Sequence, residues 1–265
     1  MRVVMCLLVL FSTSGWAASA TNTIEQLSSQ VAPLWQSIRP TCVMALDLES
    51  QQAVLSRIEF LNSQLIASNL TAHLSLLSAN KDNAWKDPSW AVREKLEQSA
   101  LSKEERESYR EYFFKLQTLK PNSERKKLVQ QVQNMSEGLN LVLKKELWKM
   151  CHALGFHSLP QKQLETAVHQ RWLKQQAKVK MQLNKELAAF YFYTFRQLPN
   201  AELAVMAKTS LKLSSWVKTS QSSIEQYFRQ LRGQLLAIEL QPVETKIDGI
   251  SFPQPLPFNP ATFIK

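Results

Sequence analysis

Apolar residues recur with the 3.6-residue period of a helix along most of the chain. A short helix is predicted from Ile24 to Ile38 and a long one from about Cys42 to Ser78. In the long one Val54, Ile58, Leu61 and Leu65 fall at i, i+4, i+7 and i+11. Ile66, Leu70, Leu74 and Leu77 form a second row beside them, so the helix should bury a broad face. Asp87 before Pro88 is a good N-cap with proline in the first turn, and a short helix to about Gln98 follows. Ser102 and Glu105 have the spacing of a capping box, ahead of Tyr109, Tyr112, Phe113 and Leu116 on one helical face.

Pro121 ends that helix. A fourth long pattern then runs from Leu128 through Val132, Met135, Leu139, Leu143, Leu147 and Leu154 to Gly155, its expected C-cap. Ser158 and Gln161 read as another capping box. The next helix extends from Leu164 through Val168, Trp172, Leu183 and Tyr191 to Leu198, where Pro199 stops it. Asn200 is placed to cap a helix reaching about Lys218, and Ile224, Tyr227, Phe228, Leu231, Leu235 and Ile238 give the cleanest amphipathic pattern in the sequence. From Gln241 the pattern changes. Pro242, Pro253, Pro255, Pro257 and Pro260 exclude helix while Phe252, Leu256, Phe258 and Phe263 stay apolar, as expected of a strap packed across a helical body. The expected fold is all-α: a single bundle of about seven helices over residues 21–240, with an extended proline-rich tail at 241–265.

Composition supports the helical reading, because glycine occurs only 5 times in 265 residues, about 2% against a usual 7% or so, too few for a turn-rich sheet protein. The first 20 residues have the order of a secretory signal peptide: Arg2, an apolar run from Val3 to Phe11, and Ala18 and Ala20 before the cut. The run is less than half the roughly 20 residues that span a bilayer. An exported chain cleaved after Ala20 keeps two cysteines, Cys42 and Cys151, and in an oxidising compartment they are expected to pair. The bridge would close a loop of about 110 residues and tie early and middle helices into one domain. The sequons at Asn69 and Asn134 fall inside predicted helices, so the bacterial periplasm is preferred to a glycosylating compartment.

The segment AAFYFYTFRQLPNAELAVMAKTSLKLSSWV, Ala188 to Val217, resembles part of a family of uncharacterised exported bacterial proteins built from helices. Its aromatic helix, its acidic Glu202-Leu203 step and its short second helix carry the likeness. The resemblance implies an exported all-helical fold and no particular reaction.

The chain has no GxGxxG, P-loop, HExxH, CxxC or GxSxG motif. A metal site or hydrolase centre built on Cys151, His152, His157, Glu165 and His169 is conceivable from the Glu165/His169 spacing and the nearby turn, but it matches no established ligand pattern. Net charge is +10, or +9 without Arg2, and the cations cluster at Lys120 to Lys127, at Lys144 to Lys149, and along Lys162 to Lys185. Lys174, Lys178 and Lys185 are expected to share a solvent-facing stripe that meets an anionic envelope component or an acidic protein, with nucleic acid excluded by the compartment. The run Phe190 to Phe195 is apolar all round its helix, so Phe190, Tyr191 and Tyr193 are either core or the lining of an apolar pocket. The reading overall is an exported binding protein, neither catalytic nor membrane-spanning, with no cofactor.

Overall fold

Short polar side chains cut the helical pattern more often than its hydrophobic period suggests. The computed structural model describes residues 23–43, 47–78, 87–100, 102, 105–116, 123–157 and 159–237. The first 20 residues, expected to be a signal peptide, Ser158 of one expected capping box, and the proline-rich segment at 241–265 lie outside them. The described chain is all-α, without strands. Its helices are α1 (23–29), α2 (Val31–Val43), α3 (Leu48–Phe60), α4 (Ser63–Ser78), α5 (Pro88–Ala100), α6 (Glu105–Leu116), α7 (Ser123–Gly155), α8 (Gln161–Thr194), α9 (Asn200–Lys212) and α10 (Ser214–Ala237).

The single helix expected from Cys42 to Ser78 is two helices, and Cys42 belongs to α2, which continues through Pro40. Two side chains explain the cuts by offering backbone donors an alternative to the helical ladder. The Asp47 carboxylate accepts from the Ser50 N–H at 2.8 Å to start α3, and Asn62 Oδ1 accepts from the Gln64 N–H at 2.9 Å to start α4. The break redirects the apolar row: Val54 and Ile58 are buried but Leu65 is more than half exposed, while Ile66, Leu70 and Leu74 turn inward. Likewise the helix expected to run past Lys212 stops there. Leu213, fully buried, forms the corner, and its carbonyl accepts the first α10 bond from the Val217 N–H at 2.9 Å.

The expected caps are met in part. Asp87 Oδ1 accepts from the Ser89 N–H at 3.0 Å, as its position before Pro88 suggested. Ser102 Oγ accepts from the Glu105 N–H at 3.3 Å, but Glu105 does not complete the box: its carboxylate reaches Arg196 at 3.2 Å and accepts from the Tyr193 hydroxyl. At the end of α8 the Arg125 guanidinium donates to the carbonyls of Phe195 and Leu198, the second at 3.0 Å, and to Asn200 Oδ1 at 2.8 Å. A cation thus satisfies carbonyls that a helix C-terminus leaves without partners. Asn200 therefore begins α9 as a partner of Arg125 and does not cap it, the N-cap being Pro199.

The centre is α7, a helix of 33 residues and so about 50 Å long, packed by α2, α3, α8, α9 and α10. Its second half is buried on nearly every side, including Leu143, Leu147, Met150, Cys151 and Leu154. The main core gathers these with Trp35 of α2, Ile58 of α3, Leu70 of α4 and Ile224 and Phe228 of α10. A second cluster joins Val129 and Val132 to Tyr191, Phe192, Phe195, Leu203 and Met206, where α7, α8 and α9 meet. A third, Trp148, Ala153, Leu164, Val168 and Trp172, closes the turn between α7 and α8.

Cys42 and Cys151 stand at disulfide distance inside the main core, with Cα atoms 5.5 Å apart. A bond there fastens α2 to the middle of the chain. Thiol titration of the denatured, unreduced chain from residue 21 onward should find no free cysteine, and reduction should lower the unfolding free energy by about 2–4 kcal/mol. Two titratable thiols per chain would contradict the pairing.

Candidate functional site

Helix α8 changes character along its length. From residue 187 to its end it is packed among α5, α6 and α7 and shares an apolar cluster with α9, whereas residues 173–182 are exposed except for half-buried Val179. The buried half carries the aromatic run and the exposed half carries the cations.

The three basic clusters of the sequence have different fates. Lys144 pairs with Glu186 at 3.5 Å and Lys145 with Glu225 at 2.7 Å. Lys149, together with Arg232 at 2.5 Å, neutralises Glu146, a carboxylate buried on α7. Burial pushes the Lys149 ammonium below the usual lysine range. These charges hold α8 and α10 against α7. Arg125 is spent on the end of α8, as described, and Lys126 and Lys127 are exposed. On α8 the pattern reverses. Lys174, Lys178 and Lys185 are exposed and make no ion pair among the described residues. Their spacing of four and seven residues sets them on one stripe of the helix. Beside that stripe run Leu173, Ala177 and Met181 at i, i+4 and i+8, with Leu173 49% and Met181 55% exposed. An apolar row thus runs beside ammonium groups that make no ion pair among the described residues.

At its buried half α8 meets a feature that the sequence did not disclose. Arg93 of α5 is 2% exposed, and its guanidinium is surrounded. Nε donates to Glu97 Oε1 at 2.6 Å, Nη1 to Ser210 Oγ at 3.0 Å, and Nη2 to Tyr191 Oη at 3.0 Å and Ser136 Oγ at 3.3 Å. The Trp90 ring lies 4.7 Å away and adds a cation–π contact. Burial alone would lower the basicity of such a group, yet the carboxylate of Glu97 and the Tyr191 oxygen hold Arg93 charged, above the ordinary arginine range. Burial and the neighbouring Glu97 charge push the Tyr191 phenol up to about 12, so it stays protonated. In sequence Arg93 is one cation in a polar-looking helix. The only hint is Trp90 three residues before it and Glu97 four after.

The aromatic residues expected to act together are divided. Phe190 and Tyr191 line a cavity of about 430 Å³ bounded by α1, α2, α5, α6, α7 and α8. Tyr193 points elsewhere, with its hydroxyl on Glu105, its ring against Tyr109 and Tyr112, and Arg196 stacked 3.9 Å over it.

The residues considered for a metal or hydrolase centre are spread out. Glu165 and His169 are exposed on α8, and His157 Nδ1 contacts the Leu154 carbonyl at 3.0 Å. Among the described residues the only group of three ligand-type side chains close enough to share an ion is Cys42, Cys151 and His152, all buried. Two of those three are the cysteines at disulfide distance, so pairing removes both thiolates. His152 packs edge-on against Trp148, with ring centroids 3.7 Å apart, and burial followed by the Arg171 charge pushes its pKa down to about 4.

No family model, curated protein or solved structure matches the chain.

His152 supplies a pH prediction. Its ordinary pKa is near 6.5, so between pH 6.5 and about 4 the unfolded chain binds a proton that the folded chain does not. Its contribution is fully present above 6.5 and falls away toward pH 4, by up to about 3 kcal/mol. Denaturant unfolding of wild type and His152→Gln across this range should show the variant losing that part of the slope. Parallel pH profiles would contradict a neutral buried imidazole.

Proposed function

We propose that this chain is an exported, periplasmic binding protein that docks on an anionic membrane surface through the outer face of α8 and performs no catalysis. The carrying observation is the exposed row of Lys174, Lys178 and Lys185 beside Leu173, Ala177 and Met181, on a helix whose other half is fixed in the core. The lysines attract phosphate headgroups, and the half-exposed Leu173 and Met181 enter the headgroup boundary, which favours a lipid surface over an acidic protein partner. No described helix is long and apolar enough to cross a membrane, which suits attachment from outside. Export is supported by the signal-like first 20 residues and by Cys42 and Cys151 at disulfide distance. The described helices within 21–240 gather around α7, and the prolines with Phe252, Leu256, Phe258 and Phe263 support reading 241–265, outside the described residues, as a strap.

Sedimentation with phosphatidylglycerol-containing vesicles tests the docking face. Binding should be measurable at low ionic strength, should weaken toward physiological salt, and should be absent on vesicles of phosphatidylcholine alone. At about 1 kcal/mol per lysine near the surface, the variant Lys174→Glu/Lys178→Glu/Lys185→Glu should bind at least a hundredfold more weakly. Undiminished binding by this variant would reduce the stripe to an ordinary solvated face.

A further inference from the structure

The cavity beside Tyr191 has an apolar wall and a polar end, and counting its hydrogen-bonding groups shows what it can hold. Leu27, Leu34, Leu139, Leu183, Leu187 and Phe190 supply the wall. Glu97, Ser136, Asn140 and Tyr191 supply the inner end, and the Lys144–Glu186 ion pair lies at the rim. About 430 Å³ falls within the usual range of small-molecule sites, roughly 300–1,000 Å³.

At the inner end Arg93 occupies Glu97 Oε1 and leaves Oε2 without a partner among the described residues. Asn140 Nδ2 donates to the Ser136 carbonyl at 2.9 Å, leaving its Oδ1 as a second acceptor. The hydroxyls of Ser136 and Tyr191 lie 2.5 Å apart, and both oxygens accept from Arg93 Nη2. One of their two O–H protons makes the bond between them, so the other remains available as a donor. The Tyr109 hydroxyl, also on the lining, makes no hydrogen bond within the described chain. The end therefore offers two acceptors, one free donor and one adaptable hydroxyl. Its charges cancel, because Glu97 is balanced by Arg93 and Glu186 by Lys144. A carboxylate or phosphate head would compete with Glu97 for Arg93, and an ammonium head would add an unbalanced charge beside a buried cation. A neutral head carrying two or more hydroxyl donors matches the inventory.

We propose that this cavity binds a neutral single-chain amphiphile with a polyol head, of the monoacylglycerol type, with the head against Glu97, Asn140 and the Ser136–Tyr191 pair and the chain along the leucine wall. The site is separate from the α8 face and needs no bilayer.

Calorimetric titration of the full-length mature protein with monodecanoyl glycerol, below its aggregation concentration and without vesicles, tests the assignment. Saturable binding at one site per chain is expected, with decanoate and decylamine at least tenfold weaker. Leu187→Trp, which fills the wall, should abolish binding, and Asn140→Leu should weaken it about tenfold while the far-ultraviolet circular dichroism is unchanged. The Lys174→Glu/Lys178→Glu/Lys185→Glu variant should bind the amphiphile like wild type, which separates failure of the docking face from failure of the cavity. Equal affinity for decanoate, or no binding of any of the three compounds by wild type, would overturn the proposal without recourse to the variants.

Discussion

A fully buried guanidinium is the constraint around which the rest is arranged. Removing Arg93 from water is costly, and the cost is offset only because Glu97 supplies the countercharge, Ser136, Tyr191 and Ser210 accept its remaining bonds, and Trp90 faces it. Those partners come from α5, α7, α8 and α9. Four helices must therefore hold one relative position for the charge to be satisfied, and any slippage exposes the protein to the penalty of an unpaired buried ion. Such a requirement specifies an arrangement more sharply than leucine packing does, since apolar contacts can be exchanged at small cost.

Both proposed binding regions are positioned by that fixed block. Tyr191 and Glu97 are held by Arg93 in the orientation in which they close the inner end of the cavity, and the same bonds anchor the terminal half of α8. The other half of the helix extends along α7 with its outer side bare. It is directed by the Trp148–Trp172 contact, with ring centroids 5.6 Å apart, and by the Lys144–Glu186 pair. One helix thus serves as core at one end and as surface at the other. The change occurs near Leu183, where the row of buried residues resumes after the exposed stretch.

The fold class was legible because helical period and scarce glycine both survive tertiary context. The caps at Asp87 and Ser102 were legible as local chemistry. Helix ends set by side chains of ordinary frequency were not: Asp47 and Asn62 look like any polar residue on a solvated face until their backbone bonds are seen. The cationic stripe could be read from spacing, but only packing distinguished Lys174, Lys178 and Lys185, which make no ion pair among the described residues, from Lys144, Lys145 and Lys149, which are paired. The Arg93 network was the least legible. Its partners at 136, 191 and 210 are distant in sequence, and a buried arginine has the same letter as an exposed one.

Native-state hydrogen exchange of wild type and Arg93→Met tests most directly whether one buried charge binds these helices into a unit. If it does, amides of α5, α9, the Ser136 region of α7 and residues 187–194 of α8 lose protection together, by about 3–5 kcal/mol, while the α2–α4 amides change less. Loss confined to α5, with α8 and α9 as protected as before, would contradict it.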